Sequence, residues 1–494
     1  MKNLAVINAI SLTDIALRPI VDSAHALERA VAFGKGLPGV EEVVVLCSRK
    51  LALPGGARAE ARESWTVAEL LTVLGKLAAG FDDFFYYFAD CPFLDSGIAA
   101  RMYQNHRTYA ADYSFADGYP YGLAPEILRK EMPSRLQAYA GKVKSVNRET
   151  IFDLIRIDIN SYDIETELAP ADQRLLRVSL TADTERNFLL LKRLVSAGVT
   201  DAASACAFLD QHPETQRTLP AFFPIQIVDG CPQSCSYCPF PGFGGDIMSH
   251  RTGMSVDAFA GLLDKIKAFA GDAVIDISLW GEPSLHPEIG AIVSAVLERP
   301  ALDLVIETSG IGWNPAVLKE IAQTGAKPSW IVSLDAASAE IYAKLRGVGF
   351  EEARHTTQSL RELFPDSVYV QAVRMKENEE DIESFFKLWK DQTDKLIIQK
   401  YDDFCGRLPA RKVCDLSPVT RFPCWHLKRD LPVLLDGSVY ACREDIGKSF
   451  PLGNAFTEEL GGIWARGEAL AQRHIAADYP ELCSHCDEWY TYNF

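Results

Sequence analysis

The sequence predicts an α/β fold in three parts: a doubly wound N-terminal domain, a partial (β/α)6 barrel and a small C-terminal domain carrying cysteines. Three observations predict it. Short apolar runs alternate with helical stretches from the first residues onward, the pattern of a sheet covered by helices. Six strand-like runs recur between residues 221 and 400 with helical stretches between them. Four cysteines then fall between residues 424 and 486, around a hairpin signal. A chain of 494 residues is also too long for one core, since cores rarely grow past a few hundred residues. The boundaries expected are 1–220, 221–400 and 401–494.

Composition narrows the classes of partner. An apolar fraction of 48% suits a soluble, packed protein. A formal net charge of -17 argues against a nucleic-acid backbone or an anionic membrane as the main partner. The start, Met1 to Ile10, reads as a first buried strand rather than a signal peptide, because Asn8 and Asp14 interrupt the apolar run. Twelve cysteines without an export signal point to metal or redox use, and to the cytoplasm.

In the first part, strands are expected at Leu4–Ile10, Val43–Cys47 and Phe84–Ala89. Ligands in such sheets bind beyond the carboxyl ends of strands, where Asp90-Cys91-Pro92 stands. Asp90 is either an ordinary strand-to-turn residue or a hard oxygen ligand for a divalent cation. The Leu37-Pro38-Gly39-Val40 turn, Asp90-Cys91-Pro92 and the stretch Arg177 to Glu185 resemble the nucleotidyltransferases that activate sugars with CTP or GTP. The glycine-rich basic loop of that family is missing: Ile10 to Ala16 holds no glycine and no basic residue. A phosphate cradle needs bare backbone N–H groups and positive charge. A degenerate binding or docking domain is therefore expected, with a proline-bearing linker from about Thr200 to Pro224.

The second part is organised around Cys231-Pro-Gln-Ser-Cys235-Ser-Tyr-Cys238, just after a short apolar strand. Three thiolates in one loop can wrap one corner of a metal cluster and leave one metal open. A partial zinc knuckle uses similar spacings. Strands are expected at Ile225–Val228, Val274–Leu279, Leu304–Thr308, Trp330–Leu334, Val368–Val373 and Leu396–Gln399. The special residues fall at their carboxyl ends, where barrels of the TIM type keep their function. Gly281-Glu282-Pro283 follows the second, Ser309 the third, and Ser333 and Asp335 mark the fourth.

This order resembles the radical S-adenosylmethionine (SAM) superfamily. The resemblance implies a 4Fe–4S cluster on Cys231, Cys235 and Cys238, with SAM chelating the open iron. It implies SAM contacts from Tyr237 near the adenine, from Gly281, Glu282 and Pro283 at the ammonium, and from Ser309, Ser333 and Asp335 at the ribose. Arg374 would pair with the SAM carboxylate. The reaction implied is reductive cleavage of SAM to a 5′-deoxyadenosyl radical, which abstracts hydrogen from a substrate. An electron donor such as flavodoxin or ferredoxin is then a partner. No catalytic side chain is legible.

In the third part, Asp436-Gly437 is a hairpin turn signal that puts Cys442 at the end of a returning strand. Cys424, Cys442, Cys483 and Cys486 could complete a tetrahedral cage, for zinc as well as for iron–sulfur. The arrangement is similar to the SPASM/twitch extensions of radical SAM enzymes, which implies a second, auxiliary 4Fe–4S cluster. It also implies a peptide, a protein or a small carbohydrate-like molecule as substrate. Cys405 and Cys414, just upstream, either ligate or protect something or are unpaired structural cysteines, which is the reading for Cys47, Cys91 and Cys206. The whole layout looks like the spiro-SPASM proteins. The competing expectation is a sugar nucleotidyltransferase, or a nucleotide-sugar-binding scaffold with structural clusters.

Overall fold

The computed structural model describes residues 1–240 and 252–491. The chain divides into two compact units, Met1–Thr218 and Leu219–Phe494.

The first unit is built on a mixed sheet of β1 (Asn3–Ala9), β2 (Val40–Cys47), β3 (Arg58–Ala61), β4 (Asp83–Phe88), β5 (Tyr113–Asp117), β6 (Glu126–Arg129) and β7 (Ile164–Leu168). Its order is β3-β2-β1-β4-β6-β5-β7, with β6 antiparallel to both neighbours. β1 is buried along its whole length. Its alternate side chains feed two cores, Ala5 and Ile7 on one face, Leu4 and Val6 on the other. A period of two in a strand covered on both faces produces this doubly wound arrangement. The segment expected to be a linker is partly a helix, Ala202–Gln211. Asp201 caps it, accepting from the Ser204 N–H at 2.8 Å, and Ala205 and Leu209 join the core. The prolines at 213 and 220 come after this helix, so they do not disturb it.

The second unit holds an all-parallel sheet of β8 (Phe222–Pro224), β9 (Ala273–Asp276), β10 (Leu302–Thr308), β11 (Ser329–Ser333), β12 (Val368–Arg374) and β13 (Leu396–Lys400), in sequential order. It is the curled half-barrel that the six runs predict. The helix Val256–Ala270 shows why these segments cover the sheet. Ser255 caps it at 3.2 Å from the Ala258 N–H, and Phe259, Leu262, Leu263 and Ile266 put one stripe into the core. Burying each such side chain contributes about 1.5–3 kcal/mol.

The first strand differs from expectation. β8 ends at Pro224; the Ile225 N–H still donates to the Asp276 carbonyl at 2.6 Å, and from there the chain takes up partners outside the regular ladder. Ile225 bridges Val433 and Val228 bridges Gly253. The chain after β8 is thus clamped by the C-terminal segment. There the hairpin turn forms as read: Gly437 takes φ +82, and a Cβ would meet Phe456 and Asn454 at 2.5 and 2.7 Å. β14 (Ser438–Tyr440) follows and pairs antiparallel with β15 (Pro451–Asn454). One core runs on from the barrel into this segment, through Val433, Val439, Leu460 and Ile463. No helix among the described residues is long and apolar enough to cross a membrane.

Candidate active site

The loop beyond β8 is fixed at both ends. The Glu282 N–H donates to the Gly230 carbonyl at 2.7 Å, and the Ser236 N–H donates to the Leu345 carbonyl at 2.8 Å. Cys231 and Cys235, between these anchors, and Cys238, just past the second, line one cavity of about 230 Å³, together with Glu282, Ser309 and Ser333. Burial pushes the Cys231 thiol up to about 12, and the nearby Glu282 carboxylate adds to this. Burial and Cys235 push Cys238 up to about 12 as well. Thiols in such surroundings become thiolates only beside a strong positive centre such as a metal.

Gly281 permits the close approach of this loop and β9's continuation. It sits at φ +85, and a Cβ would stand 2.3 Å from the Val228 carbonyl oxygen. The next residue, Glu282, is buried, with 3% of its surface exposed. Its Oε1 accepts from the Thr308 hydroxyl at 2.5 Å and its Oε2 from the Ser309 N–H at 2.8 Å. Burial raises its pKa, and these donors pull it back. A carboxylate held this way can still accept from a cationic ligand on its remaining lone pairs. Pro283 starts a short turn, Pro283–Leu285, and is buried there. Ser309 and Ser333 reach the cavity, Ser333 accepting from Gln371 at 3.2 Å.

Two expectations are corrected. Asp335 has its carboxylate turned inside: Oδ1 accepts from the Val373 N–H at 2.7 Å and Oδ2 from Arg346 at 2.6 Å. Oδ2 also accepts from the Tyr237 hydroxyl. With φ +63 and no exposed surface, Asp335 holds Tyr237 and Arg346 at the cavity wall instead of facing a ribose. Arg374 lies elsewhere, paired with Glu379 and lining a separate small cavity with Cys414. Its place at the end of β12 turns it to a different face. The arginine of this site is Arg346, which lines the cavity, donates to Gln233 at 3.1 Å and faces the Tyr237 ring. Sequence reasoning missed it because it belongs to a helix end, Ala339–Arg346, rather than to a strand end.

The deeper wall was not foreseen either. Asp276 and Glu307, from β9 and β10, face the same cavity as Ser278, Lys400, Asp402 and Arg443. Burial, then Glu307, pushes Asp276 up to about 8. Glu307 is raised by burial and relieved by Arg443. Charged residues pointing into a barrel that is normally filled by branched apolar ones mark a polar chamber. Arg443 follows Cys442 directly, so this chamber reaches the second set of cysteines. A further cavity of about 310 Å³ shares Trp280 and Arg443 and is lined by Cys442, Tyr440 and Lys448.

Cys424, Cys442, Cys483 and Cys486 come together at that end. Cys424 is raised by burial and by Cys486 and Cys483, and Cys442 by burial, Glu444, Cys424 and Cys486. Cys405 joins them, which favours the first of the two alternatives stated for it over an unpaired structural cysteine. Its thiol hydrogen-bonds Cys486 and lies in the field of Cys442. Phe404 and Cys405 both adopt left-handed backbone, φ +50 and +58. Asp402 and Asp403 hold that turn by accepting from the Phe404 and Gly406 N–H groups at 2.8 and 2.9 Å. Phe404 packs against Trp280, so this turn connects the two cysteine groups. The signal in the sequence was Asp-Asp-Phe-Cys-Gly just past a strand, too common a turn to single out. Cys414 is exposed, while Cys47 and Cys91 are buried.

A single zinc ion does not fit either group. With Zn–S bonds of about 2.3 Å, tetrahedral thiolates stand about 3.8 Å apart. Among the described residues no three cysteine sulfurs lie within 4.8 Å of one another. The groups are spread for something larger. Of the three acidic side chains that are that close, Asp402, Asp403 and Asp487, two already hold lysines: Asp403 pairs with Lys412, and Asp487 with Lys400 and Lys412.

Comparison with known families agrees with this geometry. Residues 225–388 match the model of the radical SAM superfamily, and residues 424–487 match SPASM, an iron–sulfur cluster-binding domain. A protein of Treponema pallidum (strain Nichols), described only as uncharacterized, is 37% identical over 362 residues, covering 70% of this chain and 98% of that one. Similar solved structures include Streptococcus suis SuiB bound to precursor peptide SuiA, at 15% identity and TM-score 0.43, covering 68% of this chain and 82% of that one. They also include anSMEcpe with bound AdoMet, at 14% identity and TM-score 0.42, covering 55% and 87%. The chain belongs to the radical SAM superfamily and carries a SPASM domain. Its cofactors are therefore a 4Fe–4S cluster with SAM, and auxiliary iron–sulfur at the SPASM domain. The nucleotidyltransferase expectation finds no support in these matches.

Proposed function

We propose that the chain is a radical SAM enzyme acting on a peptide or protein side chain, or on a small carbohydrate-like molecule, bound in the chamber between its two cysteine groups. Cys231, Cys235 and Cys238 would hold the SAM-binding cluster, and Cys424, Cys442, Cys483 and Cys486 one auxiliary cluster. When bound, the first cluster would supply the electron for reductive cleavage of SAM, the chemistry by which hydrogen would be taken from the substrate. The rest falls to the chain's own side chains. Glu282 accepts from the SAM ammonium, and Gly281 and Pro283 shape the turn that presents it. Tyr237, held by Asp335 and Arg346, and Ser309 and Ser333 position the nucleoside. Asp276 and Glu307 face the substrate's polar groups.

The observation that carries this reading is the shared lining. One cavity is bordered by all three cysteines of the first loop, by Glu282, and by Arg443 beside Cys442. Electron supply by flavodoxin or ferredoxin, and a reducing, cytoplasmic setting, follow from the same chemistry. The test is anaerobic reconstitution followed by metal analysis. About eight irons with matching sulfide are expected for two 4Fe–4S clusters; stoichiometric zinc without iron would overturn the reading. Incubation with deuterated SAM and cell extract, followed by mass spectrometry, would then identify the product.

A further inference from the structure

The N-terminal unit contains a cavity of about 280 Å³ for which the radical chemistry has no use. It lies at the ends of β4, β5 and β6, where open α/β sheets bind ligands. Its walls are rings: Tyr86, Phe88, Phe115, Tyr119, Tyr121 and Phe152. Phe115 packs on Phe152 at 5.6 Å between centroids. On this aromatic lining one carboxyl is left half-satisfied. Glu126 accepts from the Tyr113 hydroxyl through Oε1, while its Oε2 is shielded from water and has no hydrogen-bond partner. A buried acceptor without a donor costs stability unless a ligand supplies one.

The charges around it decide what kind of donor fits. Glu149 lines the cavity with Glu126, and Asp117, also in the lining, pairs with Arg174 at 3.1 Å. The one basic residue in the lining is Arg148, and its charge is spent. Arg148 makes a two-pronged pair with Asp90, with Nη1 3.1 Å from Oδ1, and reaches Asp183 at 3.0 Å. Its guanidinium also lies over Phe88 and Tyr121, 5.0 and 5.1 Å from their centroids. Two consequences follow. The carboxylates Asp90 and Asp183, which could have held a divalent cation, hold a guanidinium, so a metal–nucleotide does not fit there. A phosphate entering the cavity finds no free cation. A cation finds aromatic faces and two carboxyls, the surroundings in which cation–π attraction is strongest because water is excluded.

We propose that this cavity binds a small organic amine, its ammonium donating to Glu126 Oε2 and its carbon skeleton lying among the rings. Binding has a signature that simple packing lacks. Burial, with Glu149 adding repulsion, pushes Glu126 up to about 8, so at neutral pH it carries a proton. The groups that face it are Tyr113, Tyr86, Tyr121 and Glu149, with Arg148 against Tyr121 behind them. An ammonium brought against Glu126 favours its ionised form, so binding releases a proton to the buffer.

The test is calorimetric titration of the full chain with benzylamine and with its neutral analogue, benzyl alcohol, in phosphate and in HEPES, a buffer without a primary amine. Saturable benzylamine binding is expected, about tenfold or more tighter than benzyl alcohol, as a charged hydrogen bond implies. The heat should differ between buffers by the ionisation enthalpy of the released proton. Glu126→Gln keeps the acceptor for Tyr113 and should weaken benzylamine by a similar factor and abolish the buffer difference. If that variant fails to fold, Glu149→Gln should reduce the affinity by a smaller factor. Equal binding of the alcohol, absence of saturable benzylamine binding, or no buffer dependence would overturn the proposal.

Discussion

Arg346 and Asp335 form a buried ion pair, Nη1 to Oδ2 2.6 Å, with side chains 7% and 0% exposed. The pair is more than a stabilising contact. Tyr237 hydrogen-bonds the same carboxylate oxygen, and Arg346 also donates to Gln233 in the cysteine loop. The ion pair therefore ties the end of β11 and the helix Ala339–Arg346 to the segment that carries Cys235 and Cys238.

Asp335→Asn removes the charge and keeps the shape. Asparagine tolerates left-handed backbone, so the φ of +63 adds no strain. Leaving Arg346 buried without its counter-charge is expected to cost about 3–5 kcal/mol. Thermal unfolding should show a clearly lowered Tm, and SAM affinity should fall with it as Tyr237 loses its anchor. An unchanged Tm would mean that the guanidinium finds another partner.

Glu282→Gln separates charge from hydrogen bonding. The amide oxygen can still accept from Thr308 or Ser309, which hold the carboxylate in the native chain. What is lost is the charged acceptor for an ammonium, worth about 1.5–3 kcal/mol, or about 10–150-fold in affinity. Equilibrium dialysis of SAM against reconstituted variant measures this, and iron content should be unchanged. Native SAM affinity in the variant would remove Glu282 from the site.

Cys405→Ser tests the fifth thiol of the C-terminal group. Cys405 hydrogen-bonds Cys486 and holds it below the usual thiol range. Its loss should alter the spectrum of the auxiliary centre, seen by electron paramagnetic resonance after reduction. The signal of the SAM-binding cluster should remain. Identical spectra would return Cys405 to a purely structural role.

Stability of the N-terminal unit should fall as pH rises. Glu126 is raised from 4.5 to about 8 in the folded chain. Between those values the folded state keeps a proton that the unfolded state has lost. Its contribution is therefore present at low pH and is lost as pH climbs through about 8. Glu126→Gln should flatten the profile of Tm against pH between about pH 5 and about pH 9 and gain relative to the native chain at the alkaline end. A parallel profile would contradict the assignment.

Strand order and the placement of Cys231, Gly281 and Ser309 were legible because a parallel barrel repeats one unit and puts special residues at strand ends. Side-chain direction was not. Asp335 and Arg374 stand at strand ends as read, yet one turns inward to Arg346 and the other pairs outward with Glu379. Asp276 and Glu307 sit within apolar strands, and only the curl of the sheet turns both toward one chamber. Cys405 was hidden for a similar reason, since its neighbour Cys486 is distant in sequence and the fold alone joins them. The helix Ala202–Gln211 was obscured by the prolines that follow it.

The central claim is that the cavity bordered by Cys231, Cys235, Cys238 and Glu282 cleaves SAM reductively. Mass spectrometric detection of 5′-deoxyadenosine from anaerobically reconstituted, dithionite-reduced protein tests it most directly. The native chain should form 5′-deoxyadenosine and methionine, and Cys235→Ala should form none. Absence of 5′-deoxyadenosine from native protein that holds its iron and sulfide would contradict the account.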